Sequence, residues 1–116
     1  MTIEKLYKHL SSLVDGRAYY GSATYNENEK AITPYIVYFE VSKRASDFSD
    51  DKPIYYTSTY QVTLVTSKKD VELEKSVEAS FLKEGLTFQL LTEYRSDEGE
   101  IFRAYEIKME EFINGK

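Results

Sequence analysis

The sequence predicts an α+β fold: a mainly antiparallel sheet of about five strands with two helices on one face, in the order α-β-β-β-α-β-β. Three observations carry this. Two segments repeat apolar residues at helical spacing and are bounded by capping residues. A long segment alternates apolar and polar residues at period two, as a half-buried strand does. A Ser/Asp/Gly turn then joins two further strand-like segments.

Residues 2–14 place Ile3, Leu6, Tyr7, Leu10, Leu13 and Val14 on one helical stripe, with Glu4, Lys5, Lys8, Ser11 and Ser12 opposite. Thr2 is the expected cap, and Asp15-Gly16 the stop. Arg17 to Ala23 reads as a short strand weakened by Gly21, and residues 24–33 as a polar loop. Pro34 opens a strand from Tyr35 to Val41 that is apolar on both faces, so it is either central or meets a partner. Residues 42–53 read as a long polar connection containing Phe48, which either anchors a neighbour or folds back onto its own core.

Residues 54–66 form a long strand with Tyr60, Val62 and Leu64 on the core side and Thr57, Thr59, Gln61 and Thr63 facing water. Asp70 caps a second helix, 70–84, striped by Leu73, Val77 and Phe81 with support from Val71 and Ser80, and Gly85 ends it. That helix is expected to cross over to a distant strand. Leu86 to Tyr94 follows as a strand with Leu86, Phe88 and Leu90 inward. After the turn at 95–99, residues 100–112 return with Tyr105, Ile107 and Met109 inward and Glu106 and Lys108 outward, and residues 113–116 fray.

A chain of 116 residues is the size of one domain, 1–116, and buries enough surface to fold without staples. It has no Cys, hence no disulfide, thiolate zinc site or cysteine nucleophile. Twenty acidic residues against fifteen basic ones give a net charge of −5, which opposes binding to phosphate unless a basic patch is concentrated. The pairs Lys43-Arg44 and Lys68-Lys69 are flanked by acids and read as solvated turn residues. The first residues lack the basic and apolar regions of a signal peptide, and no apolar run approaches the ~20 residues that span a bilayer. Eleven tyrosines suit either half-buried strand faces or contact with a partner.

No catalytic constellation is visible, and no cofactor or metal is expected. The lone histidine, His9, has only Lys5 and Ser12 as polar neighbours at helical spacing and reads as a boundary residue. Glu72, Glu74, Glu78 and Glu84 read as the polar side of the second helix. The cluster Asp47, Asp50 and Asp51 lacks the alternating oxygen ligands, glycine and closing glutamate of a calcium loop. No dinucleotide fingerprint, P-loop or nucleophile elbow occurs. The expectation is a non-enzymatic, protein-binding domain.

The long strand from Pro53 to Thr66 runs into Lys68-Lys69-Asp70, then Glu72 to Val77, then a Leu/Phe-rich strand and an acidic hairpin. With the short N-terminal helix and the Tyr-rich strand Tyr35–Val41, this pattern resembles the tail-completion or tail-terminator proteins of long-tailed bacteriophages and prophages. The resemblance covers roughly residues 3 to 110 and offers no match for loop 24–33. It implies a virion protein assembled in the host cytoplasm, a homo-hexameric ring at the head–tail junction. Such a ring caps the tail tube protein, docks to the head-closure or connector protein, and lets DNA pass through its lumen without specific binding. On that reading the contact residues are Asp47, Phe48, Asp50, Asp51, Tyr55 and Tyr56. The competing reading is a small acidic inhibitor or adaptor that presents carboxylates to a nucleic-acid-binding partner. The two differ in self-association, since an inhibitor stays monomeric or dimeric.

Overall fold

In a computed structural model, which describes residues 3–21, 32–47 and 54–112, the elements follow the order expected from the sequence. They are α1 (Ile3–Leu13), β1 (Ala18–Tyr20), β2 (Tyr35–Asp47), β3 (Ile54–Thr66), α2 (Val71–Lys83), β4 (Phe88–Arg95) and β5 (Ile101–Phe112). The helix boundaries follow local chemistry. The Asp70 carboxylate accepts a hydrogen bond from the Leu73 amide at 3.0 Å, which satisfies an otherwise orphaned donor at the start of α2. Gly85 stops the same helix in the left-handed region, at φ 75°. The end of α1 uses two such residues, Asp15 at φ 51° and Gly16 at φ 82°. Thr2, the expected cap of α1, lies outside the described residues.

Strand order in the sheet is β1-β2-β3-β5-β4. Three of its four pairings are antiparallel and one, β1 with β2, is parallel, so the sheet is mixed. β3 and β4 flank β5 and run in the same direction, which is why the chain between them needs the α2 crossover. Both helices contribute to one core. Leu6, Leu10 and Val14 from α1 and Val77 and Phe81 from α2 meet Ile36, Val62, Leu64, Tyr105 and Ile107 from the sheet. Tyr105 sits at the centre, edge-on to Phe81 at 5.4 Å and to Phe88 at 5.6 Å.

Four expectations need correction. The first strand is confined to Ala18–Tyr20 and does not begin at Arg17. β2 does not end at Val41. It continues to Asp47, because β3 supplies a pairing partner for every residue from Ser42 to Asp47. Leu90 shares the face of Phe88 and Tyr105, as expected, but is 41% exposed and not buried, since β4 is an edge strand among the described residues. Val71 is likewise exposed and adds nothing to the core.

The remaining expected segments fall partly or wholly beyond description. Most of loop 24–33 and the whole tail 113–116 lie outside the described residues.

Candidate functional site

The strand lengths position the first candidate surface. Strands β2 and β3 have 13 residues each, roughly 43 Å at 3.3 Å per residue, whereas the 11 residues of α1 cover roughly 16 Å. β5, with 12 residues, pairs with β3 along its length. Three strands therefore run past the helix layer as an arm, in which Val41 to Ala45 of β2 are all exposed.

Of the six contact residues expected from the sequence, Asp47, Tyr55 and Tyr56 lie in these strands. Asp47 ends β2 opposite Ile54, Tyr55 pairs with Ser46, and Tyr56 pairs with Ala45. The side chains of Asp47 and Tyr55, and Phe48, Asp50 and Asp51 altogether, lie outside the described residues. Tyr56 is half-buried, with the Lys43 ammonium 4.3 Å from its ring centroid. The two side chains share a shallow pocket of about 120 Å³ at the base of the arm with Glu4, Glu40, Tyr60 and Glu111. Burial raises the Tyr60 phenol above its ordinary value, and Glu40 and its tyrosine neighbours add to that, so the proton stays on.

The second surface is the sheet face turned away from the helices, which the alternation of β3 marks as wet. One row across it reads Tyr35, Val65, Phe102, Tyr94. Val65 is buried between its larger neighbours, while Tyr94 is 55% exposed and stacks on Phe102 at 5.2 Å with the rings 5° apart. Polar residues take over two rows along, where Gln61 and Glu106 lie beside Phe39.

The third feature is an ion network between α2 and the β4–β5 pair. Arg103 donates to Glu78 at 3.0 Å, to Glu93 at 2.9 Å and to the Tyr105 hydroxyl at 2.6 Å, and Glu74 lies 3.7 Å away. Lys69 bonds both Glu74 and Glu93 at 2.9 Å. Burial pushes the Glu78 carboxyl up, but hydrogen bonds from Tyr105 and Arg103 outweigh it and hold it below the ordinary carboxylate value. Hydrogen bonds from Lys69 and Arg103 hold Glu93 down in the same way. The Tyr105 phenol is pushed up by burial and by its bond to Glu78. Carboxylates this well matched to cations are poor proton acceptors, so the cluster braces the fold and lacks the poise of a general base.

His9 finds a partner that helical spacing could not reveal: its imidazole meets the Glu84 carboxylate at the end of α2, 2.5 Å away. The sequence reading also missed Arg103 and the apolar row, because both depend on which strands are neighbours. Among the described residues, no group of His, Asp or Glu side chains is arranged to hold a metal ion, and no helix is long and apolar enough to cross a membrane.

No protein-family model and no curated protein matches the chain. Among solved structures, it is similar to a chain in the virion of the native gene transfer agent (GTA) particle. The identity is 14%, the match covers 91% of this chain and 92% of that one, and the TM-score is 0.42.

Proposed function

We propose that the chain is a structural, non-catalytic subunit of a phage-type virion, a tail terminator that assembles into a ring at the head–tail junction, caps the tail tube and docks to the head connector. The observation that carries this reading is the arm: among the described residues, β2, β3 and β5 pair on as far as Asp47, Ile54 and Phe112, and Val41 to Ala45 of β2 are left exposed. Exposed strand of this kind suits a subunit that reaches its neighbours. The sequence resemblance points the same way, since its "strand, Lys-Lys-Asp, helix" passage is here the end of β3, the Lys69 brace and the Asp70 cap of α2.

The test is the mass of the purified protein in solution across a wide concentration range, alone and with assembled tail tubes. A ring-sized species near six copies, or rings seated on tube ends, is the expected result. A chain that stays monomeric under both conditions overturns the reading in favour of the small acidic inhibitor. Within the reading, Phe48→Ala is expected to fold normally and to reduce joining of heads to tails, and normal joining would remove Phe48 from the contact set.

A further inference from the structure

An edge strand presents backbone N–H and C=O groups that no neighbouring strand satisfies, and it is a template for one more strand. Among the described residues this sheet has two such edges. On one side is β4, which among the described residues pairs only with β5. On the other side β1 covers β2 only from Ile36 to Tyr38. Among the described residues the cover continues through the Gly21 amide on the Tyr38 carbonyl and the Glu40 amide on the Tyr20 hydroxyl. From Val41 to Asp47, β2 has β3 on one flank and no described strand on the other.

We infer that the open edge of β4 pairs antiparallel with Val41–Asp47 of a second copy of this chain, so that subunits join head to tail through a continuous sheet. The inference rests on the self-assembly reading above and specifies its interface.

The lengths agree, with eight residues in β4 against the seven of the open segment. The directions agree as well. β2 is antiparallel to β3, β3 to β5 and β5 to β4, so β4 runs opposite to β2. When copies repeat side by side in one orientation, β4 therefore meets the next β2 antiparallel. Each edge also carries a bulge whose extra residue is apolar and exposed, Val41 at 55% and Leu91 at 44%.

Charge selects between partners. Two β2 edges brought together would set the adjacent Lys43 and Arg44 against the same pair, and like charges directly opposite destabilise a sheet. β4 brings one Glu and one Arg and raises no such conflict. Closure is geometrically reasonable too. The registers set β4 level with the first part of β2, so the next copy must shift along the strands by about six residues, roughly 20 Å. Spread over the four strands from β2 to β4, roughly 19 Å wide, that shift is a tilt of about 45°, as in closed barrels.

Amide exchange on the assembled protein, compared with a dissociated dilute sample, tests the interface directly. Protection of residues 41–47 and 88–95 by about tenfold or more on assembly is the expected result. Val41→Lys and Leu91→Lys should each weaken assembly by about tenfold or more with unchanged circular dichroism, because both side chains are exposed in the single subunit. Assembly in which both segments exchange freely, or in which both variants assemble like the parent, overturns the edge pairing and leaves the self-assembly reading intact. A chain that is monomeric alone and with tail tubes overturns that reading, and this interface with it.

Discussion

The guanidinium of Arg103 on β5 and the carboxylate of Glu78 on α2 meet at 3.0 Å, and the Tyr105 hydroxyl donates to the same Glu78 oxygen at 2.6 Å. Arg103 therefore serves as the hub through which the crossover helix is tied to the sheet beneath it. It also neutralises a site where three carboxylates converge, from Glu74, Glu78 and Glu93.

Removing the hub leaves those carboxylates with Lys69 as their remaining cation. Arg103→Ala is expected to destabilise the fold by about 2–3 kcal/mol, below the usual cost of breaking a fully buried pair because Glu78 and Glu93 keep some solvent. Arg103→Lys should recover only part of this, since one ammonium cannot reproduce the planar fork that reaches Glu78, Glu93 and Tyr105 together. Urea denaturation of both variants checks the order.

The same network sets an acid limit. Glu78 and Glu93 have carboxyl groups held below their ordinary value of 4.5 in the folded state. A depressed folded value contributes stability that is fully present above the unfolded value and is lost as pH falls through the folded one. Melting temperature should therefore hold near neutrality and fall below about pH 4.5. The Glu78→Gln, Glu93→Gln double variant should be less stable than the parent at pH 7 and should lose less on acidification. Parallel melting curves across that range would refute the assignment.

Phe81 is fully buried and touches both Phe88 and Tyr105, at ring separations of 5.6 Å and 5.4 Å. Phe81→Ala is expected to cost about 3–5 kcal/mol through lost burial and the cavity left behind. Because the cavity opens beneath α2, amide exchange in α2 should accelerate more than in α1.

Asp70→Ala removes the acceptor for the Leu73 amide and should cost about 1 kcal/mol, while Asp70→Ser should restore most of it. A loss well above that figure would mean that Asp70 also supports the adjacent Lys69 brace.

Much of the candidate surface could be located from the sequence but not shaped by it. The stretch containing Asp47, Tyr55 and Tyr56 stands out as polar and Tyr-rich, and the structure pairs Asp47 with Ile54, Tyr55 with Ser46 and Tyr56 with Ala45. The sequence reads residues 42–47 as loop because no apolar alternation marks them. Alternation records burial on one face, and Val41 to Ala45 are exposed on both.

The sequence by itself determined what local chemistry can specify: two amphipathic helices, the Asp70 cap, the glycine stops at Gly16 and Gly85, the hairpin at Ser96–Gly99, and the core positions of Val62, Leu64, Tyr105 and Ile107. Each rests on residues within a turn or two of one another. Tertiary structure alone decided the parallel pairing of β1 with β2, the gathering of Lys69, Glu74, Glu78, Glu93 and Arg103, the His9–Glu84 contact, and the strand order that puts β4 at one side of the described sheet. These join segments far apart in the chain, and strand pairing depends on which faces must be buried together, a property of the whole sheet that no single segment contains.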